Sequence, residues 1–283
     1  MKLDLHNYIA IGFQPYWLRA QNYNPKTLLE QTVMQCFSKG IDVCGVTSKE
    51  FAIPRGSVHD RFSCLVAQTK NLPGDYSHDK IEDVALVVEK RGKKVILLNA
   101  QGVISKNKEG VRIDYLVIGG NQVDNNLLIG DSIKQATDRG LIKAIHYPLL
   151  LGLAYCGMPE AEMERYWKNF DSIAVHDAQI PQIPYPLNWF TESKIKRAER
   201  FAKSKFMHMI AVSGAHRIAD IGTAYIESTG ELESLGKDYL LKSLKQCIIN
   251  GKMVKGSISL SAFRDWHSIF KKGAKNPEQI KSA

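Results

Sequence analysis

Ala211–Ser228 reads AVSGAHRIADIGTAYIES. The apolar run Met209–Val212 reads as a strand that ends in the small-residue turn Ser213-Gly214-Ala215-His216. Behind the turn, Ile218, Ile221, Tyr225 and Ile226 recur at helical spacing and predict a helix. A strand that stops at small residues and feeds a helix is where α/β proteins gather their chemistry. This turn, however, offers one imidazole, and its nearest carboxylate, Asp220, falls inside the predicted helix.

The same alternation extends in both directions. LDLHNYIAIG reads as a first strand and PKTLLEQTVMQCFSKG as a helix, with Pro25 near its start and Gly40 past its end. IDVCGVTS is a β-branched strand, and HDRFSCLVAQTKN is helical. KKVILLNAQGVI and VRIDYLVIGG are strands on either side of the polar turn SKNKEG. NLLIGDSIKQATDRG, PEAEMERYWKNF, NWFTESKIKRAERFAKSK and KDYLLKSLKQCIING are helices, and LIKAIHYP and DSIAVHDA are strands between them. About seven strand–helix units, each roughly 30 residues long, match βαβ repeats and favour a barrel over an open sheet. No linker-like composition separates them, so one barrel domain is expected over 1–261, followed by a basic extension over 262–283.

Composition narrows the function classes. The chain of 283 residues is 44% hydrophobic and 24% charged, as a globular domain with a real core requires. No apolar run reaches the roughly 20 residues of a membrane span, and the N-terminus lacks a signal-peptide core, so a cytoplasmic protein is expected. Five scattered cysteines without a CxxC pair argue against a disulfide framework or zinc knuckle. The net charge of +9 is uneven: residues 237–283 hold ten Lys/Arg against three Asp/Glu, and Ser193–Lys205 carries six basic residues on one helix. Such a surface is either a solvated face or a site for phosphates or nucleic acid.

In a barrel, chemistry sits at the C-terminal ends of the strands. Those ends read Asp4-Leu5-His6-Asn7-Tyr8, Thr47-Ser48-Lys49, Asn99-Ala100-Gln101, Asp114, Ile145-His146-Tyr147-Pro148, Ala174-Val175-His176-Asp177 and Ser213-Gly214-Ala215-His216. The segments DLHNY, VTSK, NAQ, RIDY, IHYP and SGAHRIADIG resemble, in order and spacing, the polymerase and histidinol phosphatase (PHP) family of metal-dependent phosphoesterases. The resemblance runs from Asp4 to about Ile249, with LDLH and SGAHRIADIGTAYIE its most specific parts. It implies a distorted (β/α)7 TIM-like barrel holding up to three metal ions.

The departures from the family pattern are numerous. The second His of the first motif is Tyr8, and the Asp and His of the second are Ser48 and Lys49. Gln101 stands at the bridging Glu position, Asp114 at a lone His, and Gly214 at the final Asp. His6, His146 and His216 remain, and by the resemblance they belong to three different metal positions. Catalytic zinc normally takes three protein ligands at one ion. These losses imply a pocket without a cofactor, in a protein that has lost phosphoesterase activity and serves as a binding or scaffolding subunit. Its partner would be a phosphorylated ligand, a nucleic acid or another protein, with no membrane involved. The pocket would be lined by His6, Lys49, Arg55, Gln101, His146, His176, Gly214, His216 and Arg217. Lys49, Arg55, His59 and Arg61 cluster after the second strand, and Arg217 opens the predicted helix, whose N-terminus favours anions. The ordinary alternative is that Arg55 and Arg61 are exposed loop residues. The competing expectation is an active phosphoesterase with a reduced site on His6, His146, His176 and His216, in which His6, His146 and His216 would hold zinc, manganese or iron. A rearranged site could instead draw on His6, His176, Asp177 and His216.

Overall fold

The computed structural model describes residues 1–9, 27–49, 60–149, 151–152, 155–178, 187–215, 217–232 and 236–257. Strand β1 (Lys2–Asn7) is followed by helix α1 (Leu28–Lys39), strand β2 (Val43–Lys49) and helix α2 (Arg61–Val66). Helix α1 buries Leu28, Leu29, Thr32, Val33 and Cys36, a one-sided stripe, and stops at Gly40, whose φ of 63° closes the left-handed cap. A hairpin, β3 (Tyr76–Ile81) and β4 (Ala85–Lys90), leads into the long strand β5 (Lys93–Lys106) and then β6 (Arg112–Ile118). Helix α3 (Ile129–Asp138), strand β7 (Ile142–Ile145) and the short hairpin β8 (Leu151–Gly152) and β9 (Tyr155–Cys156) come next. Helix α4 (Glu160–Tyr166), strand β10 (Ser172–Asp177), helix α5 (Leu187–Ser204) and strand β11 (Met209–Val212) complete the alternation. Strands β12 (Tyr225–Glu227) and β13 (Lys252–Val254) flank helix α6 (Lys237–Ile249).

Seven strands form a nearly closed barrel in the order β11-β10-β7-β6-β5-β2-β1. Its two ends meet where Asn7 bridges Ala215 and the Gly214 N–H donates to the His6 carbonyl at 3.0 Å. The strands are parallel except β6, which runs antiparallel to both β5 and β7 because only a short turn separates it from β5. This reversal is the main distortion of the barrel.

Two elements depart from the sequence expectation. The β3–β4 hairpin was not anticipated; β4 lies along residues 93–98 of β5, while β6 takes residues 100–106 of the same edge. The helix expected after Gly214 is a single 3-10 turn, Ile218–Asp220, followed by β12, which pairs antiparallel with β1. Side chains from elsewhere explain this. Asp4 accepts from the Gly222 N–H at 2.8 Å and Ser213 Oγ accepts from the Thr223 and Ala224 N–H groups, so these donors are withdrawn from any helical ladder.

The barrel interior is apolar. Leu3, Leu5, Val43, Leu98, Leu116, Ala144, Ala174 and Val212 form one buried cluster with Leu240, Leu241 and Leu244 of α6. Leu241 lies against Gly119 past the end of antiparallel β6, so α6 plugs the end of the barrel opposite the strand C-termini. Each such leucine contributes roughly 1.5–3 kcal/mol by burial. Outside the barrel, α3 and α4 pack on β6, β7 and β10, and α1 and α2 pack on β2 and β5. Cys36, Cys44 and Cys247 are buried free thiols, and Cys64 is exposed. The segment 262–283 lies outside the described residues. Among the described residues no helix is long and apolar enough to cross a membrane.

Candidate metal centre at the barrel mouth

Two β-bulges decide which side chains enter the mouth. On β1 and β2 the register runs Asp4↔Cys44 and then Asn7↔Val46, so Leu5 and His6 together oppose Gly45. A Cβ on Gly45 would stand 2.1 Å from the Leu5 carbonyl oxygen, so only glycine tolerates the bulge. The extra residue turns His6 inward. On β10 the register steps from Ala174↔Ile210 to His176↔Ala211 and Asp177↔Val212, leaving Val175 as the extra residue. Asp177 thereby shares the inward face with Val212, and His176 faces away.

His6, His146 and Asp177 meet here at 0%, 1% and 3% exposure. The Asp177 Oδ2 lies 4.0 Å from His6 Nδ1 and 3.7 Å from His146 Nε2. The two imidazoles stand edge-on, with centroids 4.1 Å apart. One ligand atom from each of the three residues falls within 4.8 Å of the others. Aromatic rings wall the group: Tyr8 lies 4.4 Å from His6 and Tyr147 lies 3.6 Å from His146. Tyr147 reaches that position through a left-handed backbone, φ 48°, and Leu149 beyond Pro148 has φ 64°. Such conformations cost about 1–3 kcal/mol each and gather at functional sites.

The remaining candidates are distributed as follows. Gln101 is buried, donating to the Val123 carbonyl at 2.6 Å and accepting from the Val123 N–H at 3.0 Å. His176 bonds the Gly256 carbonyl at 2.7 Å on the opposite face of β10, and burial pushes its pKa down. Arg217 pairs in bidentate fashion with Asp220 at 2.8 Å. Among the described residues only the 3-10 turn Ile218–Asp220 follows Gly214, in place of the expected helix with its anion-binding N-terminus. Asp114 is buried at the mouth, next to Tyr115, which pairs with Ile145. Arg55, His59 and His216, and the side chain of Lys49, lie outside the described residues.

Arg61 corrects an expectation: it is buried, not an exposed loop residue. Its guanidinium donates to the Thr47 carbonyl at 3.3 Å and lies 5.4 Å from the Tyr8 ring, while burial lowers its pKa to about 10. Asp4, on the outer side of β1, accepts from the Ser213 and Gly222 N–H groups. Burial raises its pKa to about 6 against those hydrogen bonds. Two basic residues of Ser193–Lys205 are paired with acids of helix α4, Arg197 with Glu160 and Lys205 with Glu164.

The sequence offers Asp177 only beside His176 in the rearranged set, and neither the inward direction of its carboxylate nor the left-handed Tyr147 has a sequence signal. Alternation along DSIAVHD points His176 inward, and only the bulge reverses it.

The sequence matches no family model and no curated protein. Solved structures do match the fold. PsfC from Pseudomonas syringae PB-5123 superposes with a TM-score of 0.57 at 11% identity, covering 96% of this chain and 98% of that one. A two-domain protein from Bacteroides vulgatus containing a predicted PHP-like metal-dependent phosphoesterase superposes with a TM-score of 0.53 at 12% identity. That match covers 90% of this chain and 65% of the other. The fold is PHP-like. At these identities the likeness extends to the barrel and no further.

Proposed function

We propose that this PHP-like barrel is a single-metal hydrolase of phosphate esters, with the ion held by His6, His146 and Asp177. The observation that carries the reading is the convergence of two imidazoles and one carboxylate, fully buried, at the strand C-termini of the barrel. The donor set fits. Ligands about 2.1 Å from a tetrahedral ion lie about 3.4 Å apart. The two Asp177 separations of 3.7 and 4.0 Å come near this, and all three ligand atoms lie within 4.8 Å of one another, so an ion would draw them together. Two His and a carboxylate suit zinc, and also iron(II) or manganese. When bound, such an ion supplies a Lewis acid for a phosphoryl oxygen.

The chain's own groups support that use. His6 and His146 offer ring-nitrogen lone pairs, and Asp177 offers negative charge that partly neutralises a cation. Tyr8 and Tyr147 cover the two imidazoles and restrict water around them. The buried charge of Arg61 on the far end of the Tyr8 contact favours anionic over cationic substrates. The substitutions at Tyr8, Ser48, Gln101 and Gly214 are consistent with one ion in place of several.

The test is metal content by elemental mass spectrometry, as purified and after incubation with zinc, manganese or iron(II), paired with hydrolysis of a phosphomonoester and a phosphodiester. The expected result is a single tightly bound ion and metal-stimulated hydrolysis, both lost in His146→Gln. Absence of metal and of hydrolysis would instead favour a binding or scaffolding subunit.

A further inference from the structure

We infer that Asp177 and Gly214 act as one unit: the carboxylate of the centre is delivered from β10 into the volume that any side chain at position 214 would fill. The inference rests on the metal-site reading for its purpose, and on steric contact alone for its existence. Gly214 has φ 58°, and a Cβ built on it would stand 2.5 Å from Asp177 Oδ2, 2.6 Å from Oδ1 and 2.8 Å from Cγ. These separations lie well inside van der Waals contact, so a side chain at 214 and this carboxylate cannot occupy the site together.

Position 214 is fixed by its backbone, so a side chain there displaces the carboxylate. The Gly214 N–H donates to the His6 carbonyl at 3.0 Å, tying position 214 to the strand that carries one of the histidines. Asp177 is held by the pairing of its residue with Val212, immediately before Ser213-Gly214. A short side chain on a fixed strand can avoid a new Cβ only by leaving His6 and His146. The three devices are therefore interdependent: the β1 bulge turns in His6, the β10 bulge turns in Asp177, and Gly214 leaves space for the carboxylate. Position 214 thus acts on the ion through Asp177, as a positioning residue.

The experiment is a double-mutant cycle on the full chain: wild type, Gly214→Ala, Asp177→Ala and the double variant, read by thermal melting and by zinc uptake. Left-handed strain of alanine at 214 is common to both backgrounds and cancels. Gly214→Ala should lower the melting temperature markedly in the native background and much less beside Asp177→Ala, whose substitution removes all three contacted atoms. It should also weaken zinc uptake by at least about tenfold while leaving the ligand residues unchanged. Equal melting shifts in both backgrounds, with zinc uptake like wild type, overturn the inference. If wild type takes up no zinc, manganese or iron(II), the metal centre falls, and the melting cycle alone still decides whether the two positions are coupled.

Discussion

Both sides of the strand ends bury polar side chains and use them differently. On the β1–β7–β10 side, His6, His146 and Asp177 converge on one point with separations too long for hydrogen bonds and suited to a cation. On the β2–β5 side, Ser48 and Gln101 share the outer face of the strands with Val117, and their polar groups are engaged by the backbone. Ser48 Oγ accepts from the Arg61 N–H at 3.0 Å, Thr47 supplies its carbonyl to the Arg61 guanidinium, and Gln101 bonds both polar groups of Val123. Asn99 likewise donates to the Asp83 carbonyl at 2.8 Å. Burial is nearly complete in both halves, so burial does not separate a chemical group from a structural one. The difference is that the first set converges on one point, whereas the second bonds neighbouring backbone groups.

Exchanging one side for the other tests this contrast most severely at Gln101. Gln101→Glu restores the carboxylate that the family resemblance places there. The amide that donated to Val123 becomes an oxygen facing the same carbonyl, inside a buried pocket. The expected outcome is a loss of about 3 kcal/mol or more in denaturant unfolding and no additional bound ion. A second ion in the variant by elemental analysis would break the contrast, because it would show that this half still accepts metal.

Ser48→Ala probes the same half more gently. It removes the acceptor of the Arg61 N–H at the start of α2 and leaves a buried donor without its partner. A destabilisation of about 1–3 kcal/mol is expected, with metal content and hydrolysis per ion unchanged. A fall in metal content would mean that Arg61 and Tyr8 transmit the disturbance to His6.

The architecture was largely legible in the sequence because it depends on period. Helical stripes such as Ile129, Ser132, Ile133 and Ala136 persist through tertiary packing, and β5 and β7 are read directly from their apolar runs. The site was legible only in part, since His6 and His146 sit at strand ends while Asp177 depends on an unpaired residue two positions earlier. A bulge leaves composition and spacing untouched, yet it flips every later side chain to the other face. The segment after Gly214 failed for a related reason. Its isoleucines have helical spacing, but Asp4, 209 residues from Ser213 in sequence, and the Ser213 hydroxyl take the backbone donors that a helix would need.

His176 isolates the effect of one such bulge. Strand alternation without it would place this imidazole in the mouth and Asp177 outside. With it, His176 Nε2 bonds the Gly256 carbonyl next to β13, at a site open enough to be only half-buried. Burial lowers its pKa, and the ring N–H is the donor to Gly256, so the neutral form suffices for its role. His176→Ala should therefore cost only about 1 kcal/mol, the net value of one hydrogen bond, and leave metal stoichiometry and hydrolysis unaltered. Loss of the ion in this variant would place His176 inside the centre and remove the bulge from the account. Retention, set beside the loss expected for His146→Gln, would assign the divide between the two faces of β10 to the single extra residue Val175.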